Sequence, residues 1–511
     1  MGTNRQNELD KLHKLLHALN RQQVKVLKKY LVGFSTRNKT ETKMLELANL
    51  LLEKKQAAPD IEYCSLVIYG ESRDSRIDKL KTRLYSKVLD SLAIDINIQR
   101  DEYEDEIHPI TIRLKKKATI LQIIRFTPLR ETLGLELLMD IISTAKKYEM
   151  YFVLLDHLHH LKYMKAWRDG PKVFNHFIEE IEYYEKCNQA NIRATDNYYR
   201  MITKTGFSSN TPLEKQSEVL LDYVSQSRYD YQITNSATVG YYLRLFEVAY
   251  YQSLKDYQKA KESALEMLEL IKNNISVYRK TRMGFALDNI AECEIYLGQY
   301  DDALLHLQKS RDYFQPNSPD YFVNKQLELD AQLLSGNILK AQQLLEELQK
   351  TNRLKQGDFR IAKYAFYEAC VHFKLGRFKE CSRQLSLKFE LSKDKLGWEI
   401  AIRILRIMTM IELNRHDEAQ PMVGNLQKHI ERNARKADVN ERDRMILKLF
   451  RELDKAGFRF DNLSKVPRDL HAKLSEKNQP WSWKPLSPEL IPVHEWLQSK
   501  LPEQTTSRRK S

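Results

Sequence analysis

The chain has 511 residues, a formal charge of +14, and only 15 glycines and 14 prolines among abundant leucine, lysine, glutamate, glutamine and alanine. That is the composition of a chain held almost wholly in helices. No run of about 18 apolar residues exists to span a bilayer, and Met1 to Leu12 alternates charge with leucine rather than forming a secretory apolar core. The expected protein is all-α, cytoplasmic and without membrane insertion. Its five cysteines, Cys64, Cys187, Cys293, Cys370 and Cys381, are odd in number and show no Cys-x-x-Cys pairing, which fits a reduced compartment and assigns them no metal or redox role.

Residues 1–130 read as a helical region. Helices are expected over Leu9 to Leu19, over Gln22 to Phe34 after Asn20 as N-cap, and over Glu41 to Lys55 after Thr40. Val24, Leu27, Leu31 and Phe34 form one apolar stripe, and Lys25, Lys28 and Lys29 lie off it. Further helices are expected over Arg76 to Ile98, with Leu80, Leu84, Val88 and Leu92 on one face, and over Ile112 to Phe126. Residues 131–239 read as degenerate helical pairs: Glu131 to Tyr148, Tyr151 to Trp167, Val173 to Cys187 after the Gly170-Pro171 break, and a helix opened by Thr211-Pro212. Their register is not recoverable from sequence.

From 240 to 427 a pattern recurs. Leu297-Gly298-Gln299-Tyr300-Asp301-Asp302-Ala303 has counterparts whose small residues are Ala260, Ala341, Cys381 and Ala419, at spacings of 43, 38, 40 and 38. A period of that size signals stacked helical pairs. Five residues before each small position stand Lys255, Gly298, Gly336, Gly376 and Asn414, and four of these are types that accept the left-handed conformation closing a helix. Three residues before it stand Tyr257, Tyr300, Ile338, Phe378 and His416, placed to wedge between two helices. Four residues after it come Ala264, Leu307, Leu345, Leu385 and Val423, all apolar. Lys255 and His416 depart from the pattern.

These turns resemble the tetratricopeptide repeat, whose helix-turn-helix unit carries glycine and an aromatic in the turn and alanine early in the second helix. Ala291 and Ala369 fall where that family keeps a small residue in its first helix. The period exceeds the family's 34 residues and its first-helix tryptophan is missing, so lengthened helices or turns are expected. The resemblance implies a right-handed superhelical solenoid of antiparallel helix pairs, without catalytic residues or cofactors, presenting a concave surface to peptides or protein partners. The N-terminal helices and the Lys79 to Leu92 helix resemble uncharacterised tetratricopeptide-repeat proteins of bacteria, particularly Bacteroidota, which implies a cytosolic bacterial protein.

After the repeats, 428–504 offers a helix from Asn440 to Ala456 closed by Gly457. A segment rich in proline and tryptophan follows, with Trp481, Trp483 and Trp496, and is expected to pack onto the last helices as a cap. Residues 505–511 read as a disordered tail.

Site motifs are sparse. Asp156, His157 and His160 share a helix turn, but no further ligands converge and metal binding is not the favoured reading. No phosphate-binding Gly-x-x-x-x-Gly-Lys loop, dinucleotide fingerprint or Gly-x-Ser-x-Gly elbow occurs. Charge is more telling: residues 1–55 and 428–511 are each +7, and the middle is neutral. The favoured expectation is a non-enzymatic scaffold that binds a partner's peptide or helix in the solenoid groove. The alternative is a nucleic-acid-associated regulator that uses Lys25, Lys28 and Lys29 against phosphate.

Overall fold

In the computed structural model, described for residues 2–33, 39–53, 57–72, 74–94, 107–207, 213–350, 358–386, 397–434, 440–460, 465–477, 479 and 481–501, every regular element is helical. Two compact units divide the chain at Gly134 and Leu135.

The first unit holds α1 (Gly2–Ala18), α2 (Arg21–Gly33), α3 (Lys39–Glu53), α4 (Ile61–Tyr69), α5 (Arg76–Ile94) and α6 (His108–Ile124), then a π-helical turn at Arg130–Gly134. Asn20 starts α2 as a reciprocal cap: its side chain accepts from the Gln23 amide at 2.9 Å while the Gln23 side chain accepts from the Asn20 amide at 2.9 Å. Leu27 and Leu31 then point into a core made with Leu9, Leu47, Leu80 and Leu84. Two expectations shift. Helix α3 begins at Lys39, one residue ahead of Thr40, and the sequence reading passed over α4 altogether. Asp60 caps α4 through the Glu62 amide, and Gly70 closes it at φ 81°. Phe34, Lys55 and Ile98 lie outside the described residues.

The second unit is one continuous stack of helix pairs. It comprises α7 (Leu135–Lys147) with α8 (Tyr151–Asp169), α9 (Pro171–Phe207) with α10 (Leu213–Thr234), α11 (Ala237–Ser253) with α12 (Tyr257–Asn273), and α13 (Lys280–Leu297) with α14 (Tyr300–Arg311). There follow α15 (Pro319–Leu334) with α16 (Ile338–Gln349), α17 (Asp358–Lys374) with α18 (Phe378–Leu385), α19 (Gly397–Glu412) with α20 (His416–Ala434), then α21 (Glu441–Lys455), α22 (Lys465–Ser475) and α23 (Val493–Lys500). Each helix packs on its neighbours in sequence, so the architecture is a tetratricopeptide-like solenoid. The helix expected to stop at Cys187 instead continues to Phe207. Neither proline nor glycine interrupts it from Lys172 to Thr205, and Ala190 and Ala194 extend the buried stripe past Cys187. Thr211-Pro212 and residues 505–511 lie outside the described residues.

Among the described residues, no helix is long and apolar enough to cross a membrane.

Candidate partner-binding face

The repeated turns share one geometry. Lys255, Gly298, Gly336, Gly376 and Asn414 all sit at positive φ, between 56° and 83°. At each of these turns the next amide reaches back five residues to a carbonyl, as in Gln299 to Glu294 at 2.8 Å and Asp256 to Tyr251 at 2.9 Å. Tyr257, Tyr300, Ile338, Phe378 and His416 are the first residues of the five second helices, and all are half-buried. Ala260, Ala303, Ala341, Cys381 and Ala419 are fully buried one turn later. Ala291 and Ala369 are fully buried on the first helices. The Tyr257 ring stacks on Tyr296, with centroids 4.1 Å apart.

A sixth copy of this turn lies where sequence gave no register. Glu149 occupies the left-handed position at φ 51°, the Met150 amide bonds Ala145 O at 2.9 Å, and Tyr151 opens α8. A glutamate is tolerated there because its side chain has a distant task. It accepts from the amides of Ala237 and Thr238 at 2.7 and 2.9 Å and from the Ser236 hydroxyl at 2.9 Å, capping the N-terminus of α11.

First helices of successive pairs touch directly, α13 against α15 and α17 against α19, and so share one inner face. Side chains link them in series. Gln252 on α11 donates to the Cys293 thiol on α13 at 3.8 Å. Asn324 on α15 donates to Asp288 on α13 at 2.7 Å, and Tyr367 on α17 donates to Asp330 on α15 at 2.5 Å. Trp398 on α19 meets Phe366 edge-on at 5.9 Å. The face divides by chemistry. Counting six residues back from Gly298, Gly336, Gly376 and Asn414 gives Glu292, Asp330, Cys370 and Met408, so α13 and α15 carry acids where α17 and α19 carry apolar groups. Burial pushes the Asp288 and Asp330 carboxyls up to about 6. It pushes Glu292 up to about 7, helped by the charge of Asp288. Burial also lowers the Lys363 ammonium, which lies 5.1 Å from the Trp398 ring centroid.

The C-terminal segment crosses this same unit. Trp496 packs edge-on against Phe450 of α21 and against Phe460 beyond its end, with ring centroids 6.4 and 5.9 Å away. The segment also runs back further than a terminal cap requires. Lys255 Nζ donates to Gln479 O at 3.3 Å, and Leu486 packs against the cluster of Ala291, Ile295 and Ala303. Pro488 Cγ lies 3.1 Å from where a Cβ on Gly397 would stand. Leu490 and Ile491 line a small cavity with Phe366, Cys370, Ile404 and Met408. Trp496 and Lys500 both donate to Glu412, at 2.6 and 2.8 Å. One buried guanidinium organises the segment: Arg442 donates to Glu489, to Leu474 O at 3.1 Å and to Trp481 O at 3.0 Å. Nothing in the sequence singles out Arg442.

The remaining candidates are simpler. Lys25, Lys28 and Lys29 are exposed on α2. His157 is buried, with Nδ1 2.8 Å from Val153 O on its own helix. No group of three or more His, Cys, Asp or Glu suited to a metal occurs among the described residues. All five cysteines are buried and unbridged. Burial raises the Cys293 and Cys381 thiols to about 12 and about 11.

Stacked pairs closed by this turn define a tetratricopeptide-like helical-repeat protein. A similar solved structure is a Signal Transduction ATPase with Numerous Domains that carries a tetratricopeptide-repeat sensor, from Pyrococcus horikoshii. It is 10% identical over 90% of this chain and 63% of its own, with a TM-score of 0.29. The chain thus spans under two thirds of that protein's length. No family model and no curated protein matches the chain.

Proposed function

We propose that the protein is a non-enzymatic scaffold, acting in the cytoplasm of a bacterial cell, whose inner face receives a peptide or helix from another protein. The observation that carries this reading is the run of side chains linking α11, α13, α15, α17 and α19 across one face. It ties the first helices into a rigid support, as a recognition surface needs. Glu292, half-buried on α13, suits a segment bearing lysine or arginine.

The test is affinity capture from nuclease-treated lysate, comparing Gln326→Arg beside Asp330 on the inner face with Gln343→Arg on the exposed side of α16. The scaffold reading expects the first to reduce partner recovery at least ten-fold and the second to leave it unchanged. Equal recovery by both would refute it.

The second reading is a nucleic-acid-associated regulator, favoured by the exposure of Lys25, Lys28 and Lys29 on a single helix. It expects binding whose logarithm falls with the logarithm of salt at about 0.9 per phosphate contact, and a slope flattened by reversing the three lysines.

A further inference from the structure

We propose that a cleft at the turns of the second unit binds a nucleotide, its phosphates answering Lys255 and Lys484 and its base the aromatic rings beside them. The cleft holds about 460 Å³, a volume within the range of small-molecule sites. It is lined by Lys255 and Tyr257 from the turn between α11 and α12, by Tyr296 and Tyr300 around the turn between α13 and α14, and by Trp483 and Lys484 of the C-terminal segment. This site goes beyond the scaffold reading and does not depend on it.

Both sides of the cleft are preformed. In the C-terminal segment the Ser482 amide donates to Gln479 O at 3.0 Å and the Ser487 amide to Lys484 O at 3.1 Å, so two turns fix the wall. The Trp483 indole N–H donates to Glu489 O at 2.9 Å, which satisfies its polar end and leaves the half-buried ring for apolar contact. On the helix side Tyr257 and Tyr296 stack within 3° of parallel, a flat platform. Burial pushes the Tyr257 phenol up to about 12 and raises those of Tyr296 and Tyr300, so all three stay protonated. Among the described residues none bonds to their hydroxyls, which remain as donors for a ligand. Aromatic platforms of this kind accept any base, because every base has a π-face.

The charges call for an anion. Lys484 is half-buried, and among the described residues no carboxylate pairs with it. Burial lowers its ammonium, and the charge of Lys255 lowers it further, so two cations share the cleft without a counterion. The two carboxylates in the lining do not serve. Asp256 accepts from the Lys259 amide at 3.2 Å and pairs with Lys259 Nζ at 3.1 Å, and Glu476 is exposed and pairs with neither Lys255 nor Lys484. Glu292, close enough to act on Tyr257 and Tyr296, is pushed up to about 7 by burial and so is partly neutral. Lys255 also stands at φ 62° where three sister turns use glycine, and its exposed side chain recovers none of that cost by burial. A strained backbone that carries an ammonium to a cleft points to a ligand rather than to the fold.

The experiment titrates the full chain by calorimetry with ADP, GDP, CDP and UDP, and with pyrophosphate and adenosine as the phosphate and the ring alone. The nucleotides should bind at least ten-fold more tightly than either fragment. Lys484→Gln and Lys255→Gly should each weaken them at least ten-fold, while the melting temperature of the first does not fall and that of the second rises. That pairing of lost binding with retained stability is what a purely structural lysine would not give. Gln326→Arg on the inner face should leave nucleotide affinity unchanged, so failure of the scaffold reading and failure of this one are separate results. A Kd weaker than about 1 mM for all four nucleotides would overturn the proposal. So would pyrophosphate binding as tightly as the nucleotides, unchanged affinity in Lys484→Gln, or a lowered melting temperature in both lysine variants.

Discussion

The turn at Gly298 and the turn at Glu149 close with the same long back-bond, at 2.8 and 2.9 Å, yet share almost no sequence. At Gly298 the backbone is free to turn left-handed, and an added Cβ would meet nothing within 4 Å. At Glu149 the left-handed backbone carries a side chain, and that side chain is anchored to an amide pair 88 and 89 residues further along the chain. One turn is specified by its own residue, the other by a distant helix end. Lys255 is a third case: it has the same conformation at φ 62°, with only an exposed contact to Gln479 O. Repeat geometry can therefore persist where its sequence signature does not.

The comparison is sharpened first at the other long-range anchor. Arg442→Met should cost about 3–5 kcal/mol, because it leaves Glu489 buried without its guanidinium and frees the carbonyls of Leu474 and Trp481. Chemical denaturation measures this loss, and a cost under about 1 kcal/mol would mean the C-terminal segment is held elsewhere.

At the locally specified turn, Ala303→Phe should overpack the seam between α13 and α14 by about 1–3 kcal/mol. Hydrogen exchange should loosen around 280–345 and not near Glu149, since repeats pass strain chiefly to their neighbours.

The pH response concerns the face these turns assemble. The Asp330 carboxyl is pushed up to about 6 in the folded chain by burial, so the folded state binds its proton more tightly than the unfolded state does. That contribution to stability is fully present below about pH 4 and is lost as pH rises through about 6. Asp330→Asn should therefore gain on wild type, by on the order of 1 kcal/mol, between pH 4.5 and pH 7.5. Parallel melting curves across that range would show that the carboxyl is ionised in both states.

The all-α class and the helical-repeat architecture were legible because glycine or asparagine, an aromatic and a small residue recur at fixed offsets. Those residues answer local needs, namely a left-handed backbone, a wedge and a close helix approach. Glu149 was illegible for the opposite reason, since its partners lie at Ala237 and Thr238 and no local pattern connects them. The inner-face acids were visible only as charges on helices, because their linkage through Asn324 and Tyr367 depends on how neighbouring repeats align. Tryptophans signalled that the C-terminal segment packs, but its course past Lys255 and Gly397 depends on Arg442, one arginine among many basic residues. Tyr151, in the wedge position, was the one local sign of the sixth turn.

The most direct test makes the same change at two turns that carry a long side chain at the left-handed position. Glu149→Gly relieves the left-handed backbone but removes three hydrogen bonds at the start of α11, so its melting temperature should fall, with a net loss of about 1–2 kcal/mol. Lys255→Gly gives the same relief at an exposed side chain, so its melting temperature should rise, by up to about 1 kcal/mol of stability. Opposite signs are the predicted result. A rise in both would contradict the claim that a distant helix end, rather than local backbone preference, holds the turn at Glu149.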